Sequence, residues 1–346
     1  MPSHAAAPAP PATKVDRFRP IEKYYRHRGD GHKNAKQRRR ERHLYITNGG
    51  VVSSEVLDVH DLGSNSVTHR ARVRNIPLVP SGDPFTGTIL DARHAALFEI
   101  DGHPGLRILI NAMPLPTQVE WALRALREYS QNPFTNLSNL TKDRLATTNL
   151  WKDVWESPGE ETWKSFQSLR WANVGRHYDW TEREYLDTPD MPPLPPELKQ
   201  LVQEVFEITG MQDSCKVGES GIVNFYPAGT MMGGHMDNAE EDMVNPIVSL
   251  SLGTQCIYLQ GGVTRETVPT PLWLRSGDIV IMGGEARRCF HGVPLVTSKL
   301  SSEFIQAMND FSALVSSAVD SRELHALRVY MARARININL RRVRND

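Results

Sequence analysis

Residues 221–237 read GIVNFYPAGTMMGGHMD, a β-rich run that ends in His235 and Asp237. Residues i and i+2 of a strand project from the same face, so this imidazole and this carboxylate can converge on one ion. A third residue, His291, lies 54 positions after Asp237. If a separate strand carries His291 to the pair, the three side chains form a facial triad, which leaves open positions on iron(II).

The chain contains a second H-x-D motif, His177-Tyr178-Asp179. It precedes a proline-rich segment rather than a run of strands, and His177 lies 114 residues before His291. The first motif is therefore the stronger metal-site candidate. Ordinary surface or core histidines remain the alternative interpretation of both motifs.

The region after Gly210 is predicted to be rich in short strands punctuated by Gly, Pro, Asn and Asp. Strands at this spacing favour a β-sandwich or barrel. A helical insertion from about 302 to 331 would separate the last strand from the others. The predicted strands are Gly221 to Tyr226, Ile247 to Leu252, Cys256 to Leu259, Leu272 to Leu274, Ile279 to Met282, Gly292 to Val296 and Arg335 to Arg341.

The last predicted strand, RININLR at 335–341, alternates apolar with polar residues. A charged face turned inward is costly unless an anion binds there. Guanidinium suits a carboxylate because its fork allows bidentate hydrogen bonds. Arg335 and Arg341 could thus bracket a small dicarboxylate, with Asn337 and Asn339 between them. The alternative is an edge strand whose Arg and Asn side chains face solvent.

Asn224 and Tyr226 share one face of the predicted strand that precedes the metal pair. Both could donate hydrogen bonds to the same dicarboxylate. The alternative is a buried amide and a buried phenol whose hydrogen bonds are satisfied within the core. These weak signals agree on one site in a workable order along the chain.

The N-terminal part suggests three regions. Residues 1–45 are predicted to be a disordered, basic arm, and 46–210 a helical support region that carries a substrate lid at about 171–195. Residues 211–346 form the predicted β core. Two amphipathic helices are expected in the support region, with apolar faces formed by Val119, Ala122, Leu123, Leu126 and Tyr129 and by Leu198, Leu201, Val202, Val205 and Phe206.

The net charge of the 346 residues is zero, but it is unevenly distributed. Residues 14–43 carry twelve Lys or Arg against four acids, a net charge of +8. Such an arm is a common way to hold a polyanion, although it could also be a solvated tail or a nuclear address.

Composition points to a globular protein of a reducing compartment. Hydrophobic residues make up 40% of the chain and charged residues 23%. No apolar run of transmembrane length occurs, and the start MPSHAAAPAPPATK lacks the apolar core of a secretory signal. The three cysteines show no C-x-x-C spacing. We therefore expect no membrane association and a location in the nucleus, cytoplasm or mitochondrion.

The order of NFYP, HMD, SGDIVIMGG, FHGV and RININLR resembles that of AlkB-type iron(II)- and 2-oxoglutarate-dependent dioxygenases. The segments DGHPGLRILINAMPLP, REYSQNPFTNL and SLRWANVGRHYDW extend the likeness back to about residue 100 and look most like the AlkB homologue 1 branch. The resemblance implies an α+β fold with a double-stranded β-helix (jelly-roll) core. It implies iron(II) at His235, Asp237 and His291, with O2 and 2-oxoglutarate as co-substrates. By the same likeness, the 2-oxoglutarate pocket comprises Arg335 at the distal carboxylate, with Asn224, Tyr226, Asn337 and Arg341.

The resemblance also implies oxidation of a methyl group on a nucleic-acid base, with loss of formaldehyde. It places a nucleotide-recognition lid at the aromatic residues Trp171, His177, Tyr178, Trp180 and Tyr185. The alternative is that these aromatic residues pack beneath a proline-rich loop. Transfer RNA carrying N1-methyladenine is the leading substrate and DNA carrying N6-methyladenine the second. A protein hydroxylase, a histone demethylase and an abasic-site lyase remain alternatives, and a monomer is expected.

One position departs from the family pattern. The bacterial prototype has an acidic residue two positions after the metal-binding aspartate, where it helps to choose the base. Here that position is Ala239, and the acids are Glu240 and Glu241. The prototype's base preference is therefore not transferred.

Overall fold

The computed structural model describes residues 15–26, 56–79, 84–131, 133–134, 149–179, 182, 184–186, 191–315 and 317–345. Trp180 and the basic residues from Arg28 to Arg42 lie outside the described residues. The described helices are α1 Phe18–Arg26, α2 Val67–Arg70, α3 Leu115–Arg124, α4 Leu150–Glu156, α5 Glu160–Ser168, α6 Pro196–Thr209, α7 Ser302–Val315 and α8 Ser321–Met331.

Most of the described strands lie in the second half of the chain. They are β1 Val73–Ile76, β2 Ala96–Ile100, β3 Leu106–Ile110, β4 Trp171–Gly175, β5 Tyr178–Asp179, β6 Glu184–Tyr185, β7 Ser220–Pro227, β8 Met232–His235, β9 Ile247–Gly253, β10 Cys256–Gln260, β11 Thr270–Leu274, β12 Ile279–Met282, β13 His291–Val296 and β14 Ala334–Arg341. These elements confirm the seven predicted strands of the core. They also confirm the two predicted amphipathic helices, which are α3 with its π-helical extension Ala125–Tyr129 and α6.

Two antiparallel sheets form the core. The major sheet has eight strands in the order β1-β2-β3-β12-β9-β14-β7-β4, and the minor sheet has four in the order β11-β10-β13-β8. The inner faces of the sheets meet through apolar residues such as Tyr226 and Ile247 of the major sheet and Leu272 and Val293 of the minor sheet. The architecture is the jelly-roll α+β core that the sequence led us to expect.

Strand β14 shows how the pleat sorts side chains between two environments. Ile336, Ile338 and Leu340 are buried against the helices that cover the outer face of the major sheet. Because successive strand residues point to opposite faces, Arg335 and Asn337 point inward, between the two sheets. The alternation that places apolar side chains on the outer face of the sheet thus places polar side chains between the two sheets.

The predicted division between a helical support region and a β core is wrong in one respect. Strands β1, β2 and β3 extend the major sheet beyond β12, and β4 extends it beyond β7. These four strands of the predicted support region therefore belong to the sheet, and Trp171 lies on a strand rather than in a lid. Short strands such as VRNI and ALFEI lack the regular alternation of apolar and polar residues that predicts a strand.

The predicted disordered arm also needs correction, because part of it is the helix α1. Phe18, Ile21, Tyr24 and Tyr25 are buried, and α1 packs against β13 and β8 of the minor sheet. Burying aromatic side chains of this kind stabilises a fold by about 2 kcal/mol each. A count of charged residues in this segment shows only its positive charge and does not reveal the apolar face of α1.

The helical insertion of 302–331 consists of α7 and α8. Of all the helices that the structure describes, none combines the length and apolar character needed to span a membrane.

Candidate active site

The pairing of β13 with β8 brings two histidines together. His291 and His235 are direct partners in this antiparallel pair, and their ring centroids lie 4.4 Å apart. Asp237 follows the end of β8, and its carboxylate oxygens lie 3.6 Å from His235 Nε2 and 3.9 Å from His291 Nε2. One potential ligand atom from each of the three residues lies within 4.8 Å of the others. They are the only such group found in the described parts of the chain.

Each histidine is oriented by the backbone two residues before it. His235 Nδ1 lies 2.9 Å from the carbonyl oxygen of Gly233, and His291 Nδ1 lies 3.2 Å from that of Cys289. Because a carbonyl can only accept a hydrogen bond, Nδ1 carries the proton in both rings. Each Nε2 therefore presents a lone pair, as a metal ligand requires.

The charges around the triad keep it in a metal-binding protonation state. Burial alone raises the pKa of the Asp237 carboxyl, but Arg341 and the two histidines outweigh it and hold the pKa well below its usual range. Burial, with His235 nearby, lowers the pKa of His291 to about 4. The carboxylate is thus charged and the His291 imidazole neutral at neutral pH.

The donor set fits iron(II). Two imidazoles and one carboxylate on adjacent strand ends match the facial arrangement of non-haem iron oxygenases. Asp237 Oδ2 is buried and receives no hydrogen bond from the described residues, although Arg341 Nη1 lies 3.1 Å away in an ion pair. Its lone pairs are therefore available to an ion. Iron(II) held there supplies, with 2-oxoglutarate and O2, the oxidising power to hydroxylate a C–H bond.

A cavity extends from the two histidines to the buried guanidinium of Arg335, which is 2% exposed. Arg335 Nη2 donates to Ser251 Oγ at 2.8 Å, whereas Nε and Nη1 find no partner among the described residues. A buried, half-satisfied guanidinium is costly unless an anion joins it. This geometry fits the carboxylate of a small dicarboxylic acid whose other end reaches the metal.

The remaining predicted pocket residues stand around Arg335 in a defined register. Tyr226 is its direct partner on β7, and the guanidinium carbon lies 5.3 Å from the centre of the Tyr226 ring. Asn224 and Asn337 are likewise cross-strand partners, and Asn337 Nδ2 donates to Ser249 Oγ at 2.8 Å. All four line the cavity together with His235 and His291.

Arg341 lies at the metal end of the site. It does not line the cavity beside Arg335, and its Nη1 lies 3.1 Å from Asp237 Oδ2 and 3.0 Å from Glu240 Oε1. The predicted bracket of two arginines around one dicarboxylate therefore stays a prediction, with the two guanidinium groups at opposite ends of the site rather than side by side. Six residues along a strand span about 20 Å, so Arg341 reaches the metal end of the site and Arg335 the far end.

The structure adds Glu240, whose role the sequence did not reveal. Its carboxylate is buried and accepts from Arg341, from Arg287 Nη2 at 3.1 Å and from the Tyr185 hydroxyl at 2.6 Å. Burial raises the pKa of Glu240, but Arg341, Arg287 and the Tyr185 hydroxyl together outweigh it, and the net shift is downward. Two arginines thus compensate the two buried carboxylates of Asp237 and Glu240. Both oxygens of the Glu240 carboxylate thus accept hydrogen bonds from side chains of the protein itself.

Ser249, Ser251 and Tyr258 are further residues that the sequence analysis missed. The two serines alternate with leucines in IVSLSLG, a period-two pattern that could have revealed an inner polar face. Tyr258 stacks on His291 at 6.1 Å between ring centroids and donates to Gln260. No local pattern distinguishes Tyr258 from an ordinary core residue.

The predicted aromatic lid is only partly assembled as expected. Strands β5 and β6 form a two-stranded ribbon in which Tyr178 and Tyr185 are cross-strand partners with ring centroids 5.1 Å apart. The Tyr185 hydroxyl is committed to Glu240, so this residue anchors the ribbon and is 9% exposed. His177 is half-buried beside Met191. Trp171 lies on β4, where it is the cross-strand partner of Asn224 on β7.

A jelly-roll core with a His-Asp-His triad and a buried arginine across one cavity defines an iron(II)- and 2-oxoglutarate-dependent oxygenase. Residues 105–341 match the model of the 2OG-Fe(II) oxygenase superfamily. The chain belongs to this superfamily and, within it, to the AlkB homologue 1 branch of the AlkB-type dioxygenases.

The relatives place the chain in this branch. It is 32% identical to the DNA N(6)-methyladenine demethylase ALKBH1A of Arabidopsis thaliana over 71% of this chain and 77% of the relative. It is also 32% identical to the tRNA demethylase abh1 of Schizosaccharomyces pombe over 72% of this chain and 82% of the relative. The nucleic acid dioxygenase ALKBH1 of Homo sapiens is 34% identical over 58% of this chain and 52% of that protein.

Proposed function

We propose that this dioxygenase oxidises methyl groups on nucleic-acid bases and that its principal substrate is transfer RNA carrying N1-methyladenine. In this proposal His235, Asp237 and His291 hold iron(II). Arg335, with Tyr226, Asn224 and Asn337, binds the distal carboxylate of 2-oxoglutarate. Arg341 orients Asp237. Hydroxylation of the N-methyl group gives an N-hydroxymethyl base, which loses formaldehyde and returns the unmodified base.

The observation that carries the proposal is the buried guanidinium of Arg335. It faces the two histidines of the triad across one cavity, and its Nε and Nη1 have no partner among the described residues. That geometry supports a dioxygenase reaction. The nucleic-acid substrate is supported by the relatives, one of which is named a tRNA demethylase.

A second substrate, DNA carrying N6-methyladenine, is favoured by the name of the Arabidopsis relative. A base within a duplex must be flipped out, whereas a loop or single strand presents it directly. The Tyr178 ring, on the ribbon anchored by Tyr185, offers a platform on which such an unstacked base can stack. Trp171, His177 and Trp180 remain further candidates for contact with the substrate.

We also propose that the protein acts as a monomer in the nucleus, cytoplasm or mitochondrion. The three cysteines, Cys215, Cys256 and Cys289, are free thiols, which suits a reducing compartment.

The test combines the protein with iron(II), 2-oxoglutarate and ascorbate, and supplies either total tRNA or N6-methyladenine DNA. Modified nucleosides are then measured by mass spectrometry, with Asp237→Ala as the inactive control. We expect N1-methyladenine in tRNA to decrease relative to the control. Unchanged nucleosides in both RNA and DNA would contradict the proposal.

Two outcomes would instead support the alternatives. Succinate production stimulated by peptides but not by nucleic acid would indicate a protein hydroxylase or demethylase. Cleavage of abasic DNA that persists without iron and in a His235→Ala variant would indicate a lyase.

A further inference from the structure

Helix α1 packs against the strands that carry the two histidines. It precedes residues 105–341, which match the superfamily model. Phe18 is fully buried against the backbone of β8 and of the loop after β10. A Cβ atom on Gly234 would lie 2.3 Å from the Phe18 ring, and one on Gly261 would lie 2.9 Å from it. Both positions need glycine because α1 packs directly on the main chain.

One peptide group connects α1 to the first histidine. The N–H of Gly234 donates to Glu22 Oε2 at 2.8 Å. The carbonyl of Gly233, which belongs to the same peptide group, lies 2.9 Å from His235 Nδ1 and accepts its proton. A carboxylate, a planar peptide and an imidazole thus form a continuous hydrogen-bonded chain.

Such a chain affects the imidazole in two ways. It fixes a segment, Gly233-Gly234, that would otherwise have unusual conformational freedom. The charge on Glu22 also polarises the peptide, because hydrogen bonds in a chain strengthen one another, and makes its carbonyl a better acceptor for His235 Nδ1–H. Metal-ligating histidines commonly donate this proton to a carboxylate or a carbonyl, and this contact raises their basicity as ligands.

Arg265 completes the connection on the other side of Gly234. Its Nη2 donates to the Gly234 carbonyl at 2.5 Å, and its own carbonyl accepts from the backbone N–H groups of Arg17 and Phe18. The guanidinium lies over the rings of Phe18 and Phe290, at 5.7 and 4.8 Å from their centroids. Gly234 directly precedes His235, and Phe290 directly precedes His291. The residue before each histidine therefore contacts Arg265, and Gly234 also contacts α1.

We infer that Glu22 is a positioning residue for the metal centre, which orients and strengthens His235 as a ligand through the Gly233–Gly234 peptide, with Arg265 as its counterpart. The inference rests on the proposed ligation of the metal by His235. It assigns a role in metal binding to a helix that lies outside the family domain.

The test measures the affinity of the full chain for Co(II), a spectroscopically visible substitute for iron(II). Glu22→Ala removes the acceptor, Glu22→Gln retains an acceptor oxygen without the charge, and Lys23→Ala changes the exposed neighbour on the same helix. Loss of an outer-shell partner costs roughly 10–100-fold in metal affinity. We expect Glu22→Ala to weaken Co(II) binding by about tenfold and to shift the Co(II) absorption bands. Glu22→Gln, which keeps the orienting contact but loses the charge, should bind Co(II) with an affinity between those of Glu22→Ala and wild type, and Lys23→Ala should behave as wild type.

The melting temperature of the metal-free variants separates positioning from a merely structural role. A structural role would lower the melting temperature and leave the Co(II) affinity of the folded protein unchanged, and this result would overturn the inference. If Glu22→Ala does not fold, the Co(II) affinity of Glu22→Asp tests the inference instead. This variant keeps the charge but is one methylene too short to reach Gly234. Tight Co(II) binding by Glu22→Asp would then contradict the inference.

The proposed metal centre is judged separately in the same experiment. If wild type binds no Co(II), or if His235→Ala binds it equally well, the centre itself is wrong. If wild type binds and His235→Ala does not, but Glu22→Ala matches Lys23→Ala, only the role of Glu22 is wrong.

Discussion

The co-substrate pocket and the substrate ribbon are held in place by different means. The pocket is built on the central strands β7, β14 and β9, whose side chains are fixed by continuous pairing on both sides of β14. The ribbon, formed by β5 and β6, has two residues in each strand and pairs with no other strand among the described residues. It is anchored by the buried hydrogen bond from Tyr185 to Glu240.

This difference suggests a division of labour. A rigid pocket suits 2-oxoglutarate, which is the same in every turnover, whereas a lightly anchored ribbon can adjust to a large and variable nucleic acid. Changes in the pocket should therefore impair every reaction of the protein. Changes in the ribbon should impair only those reactions that include the substrate.

The sharpest test of this contrast compares the two H-x-D motifs. Asp237→Ala removes a metal ligand and should abolish 2-oxoglutarate turnover with or without nucleic acid. The loss should exceed about 100-fold, because outer-shell partners alone cost up to that much. Turnover is measured as succinate released. The matched control is Asp179→Ala in the ribbon, which should retain turnover in the absence of nucleic acid. Equal losses in both variants would contradict the division.

The next largest effect is expected at the far end of the pocket. Arg335→Met removes the buried charge that pairs with the distal carboxylate, a change that costs about 2 kcal/mol or more. The KM for 2-oxoglutarate should rise by at least about 30-fold. Arg333→Met, on the exposed residue two positions earlier, is the control. An unchanged KM in Arg335→Met would show that 2-oxoglutarate does not bind there.

The pocket could be predicted from the sequence, because strand alternation is a local pattern. Arg335, Asn337, Asn224 and Tyr226 occupy alternate positions of two strands, and pairing of these strands makes their inward positions neighbours. His291 could be proposed because the site's chemistry demands a third ligand. For the four pocket residues the pattern lies within a few positions of one strand, whereas His291 follows from the chemistry alone.

The rest depends on contacts between distant parts of the chain. Nothing near Glu240 indicates that Tyr185, 55 positions earlier, and Arg341, 101 positions later, meet its carboxylate. The ion pair of Arg341 with Asp237 is not foreseeable either, because a strand pattern gives the direction of a side chain and not its partner. Glu22 was hidden within a basic segment whose charge dominated its interpretation.

A moderate effect is expected where the ribbon is anchored. Tyr185→Phe removes a hydrogen bond to a charged acceptor, worth about 1.5–3 kcal/mol, but preserves the ring contact with Tyr178. The KM for methylated RNA should rise by about tenfold, whereas succinate release without RNA should stay within about twofold of wild type. Tyr185→Ala, which also removes the ring, should be worse than Tyr185→Phe. A fall in RNA-independent turnover in Tyr185→Phe would show that the ribbon and the pocket are not separable.

The smallest effect concerns the basic arm. Since α1 packs on the metal site, truncation of the arm must spare residues 15–26. Replacement of Arg38, Arg39 and Arg40 by Gln is the safer change. If these side chains contact phosphates, the slope of log affinity for RNA against log salt concentration should flatten by up to about 2, at roughly 0.7 for each lost contact. An unchanged slope would assign the arm to localisation instead.

The central claim is that His235, Asp237 and His291 hold one metal ion that shares a cavity with Arg335. A crystal structure of the protein with Mn(II) and 2-oxoglutarate, solved without oxygen and with anomalous data for the metal, tests it most directly. We expect one metal peak bounded by the two Nε2 atoms and the Asp237 carboxylate, with the distal carboxylate of 2-oxoglutarate on Nε and Nη1 of Arg335. A metal bound elsewhere, or a dicarboxylate that does not touch Arg335, would contradict it.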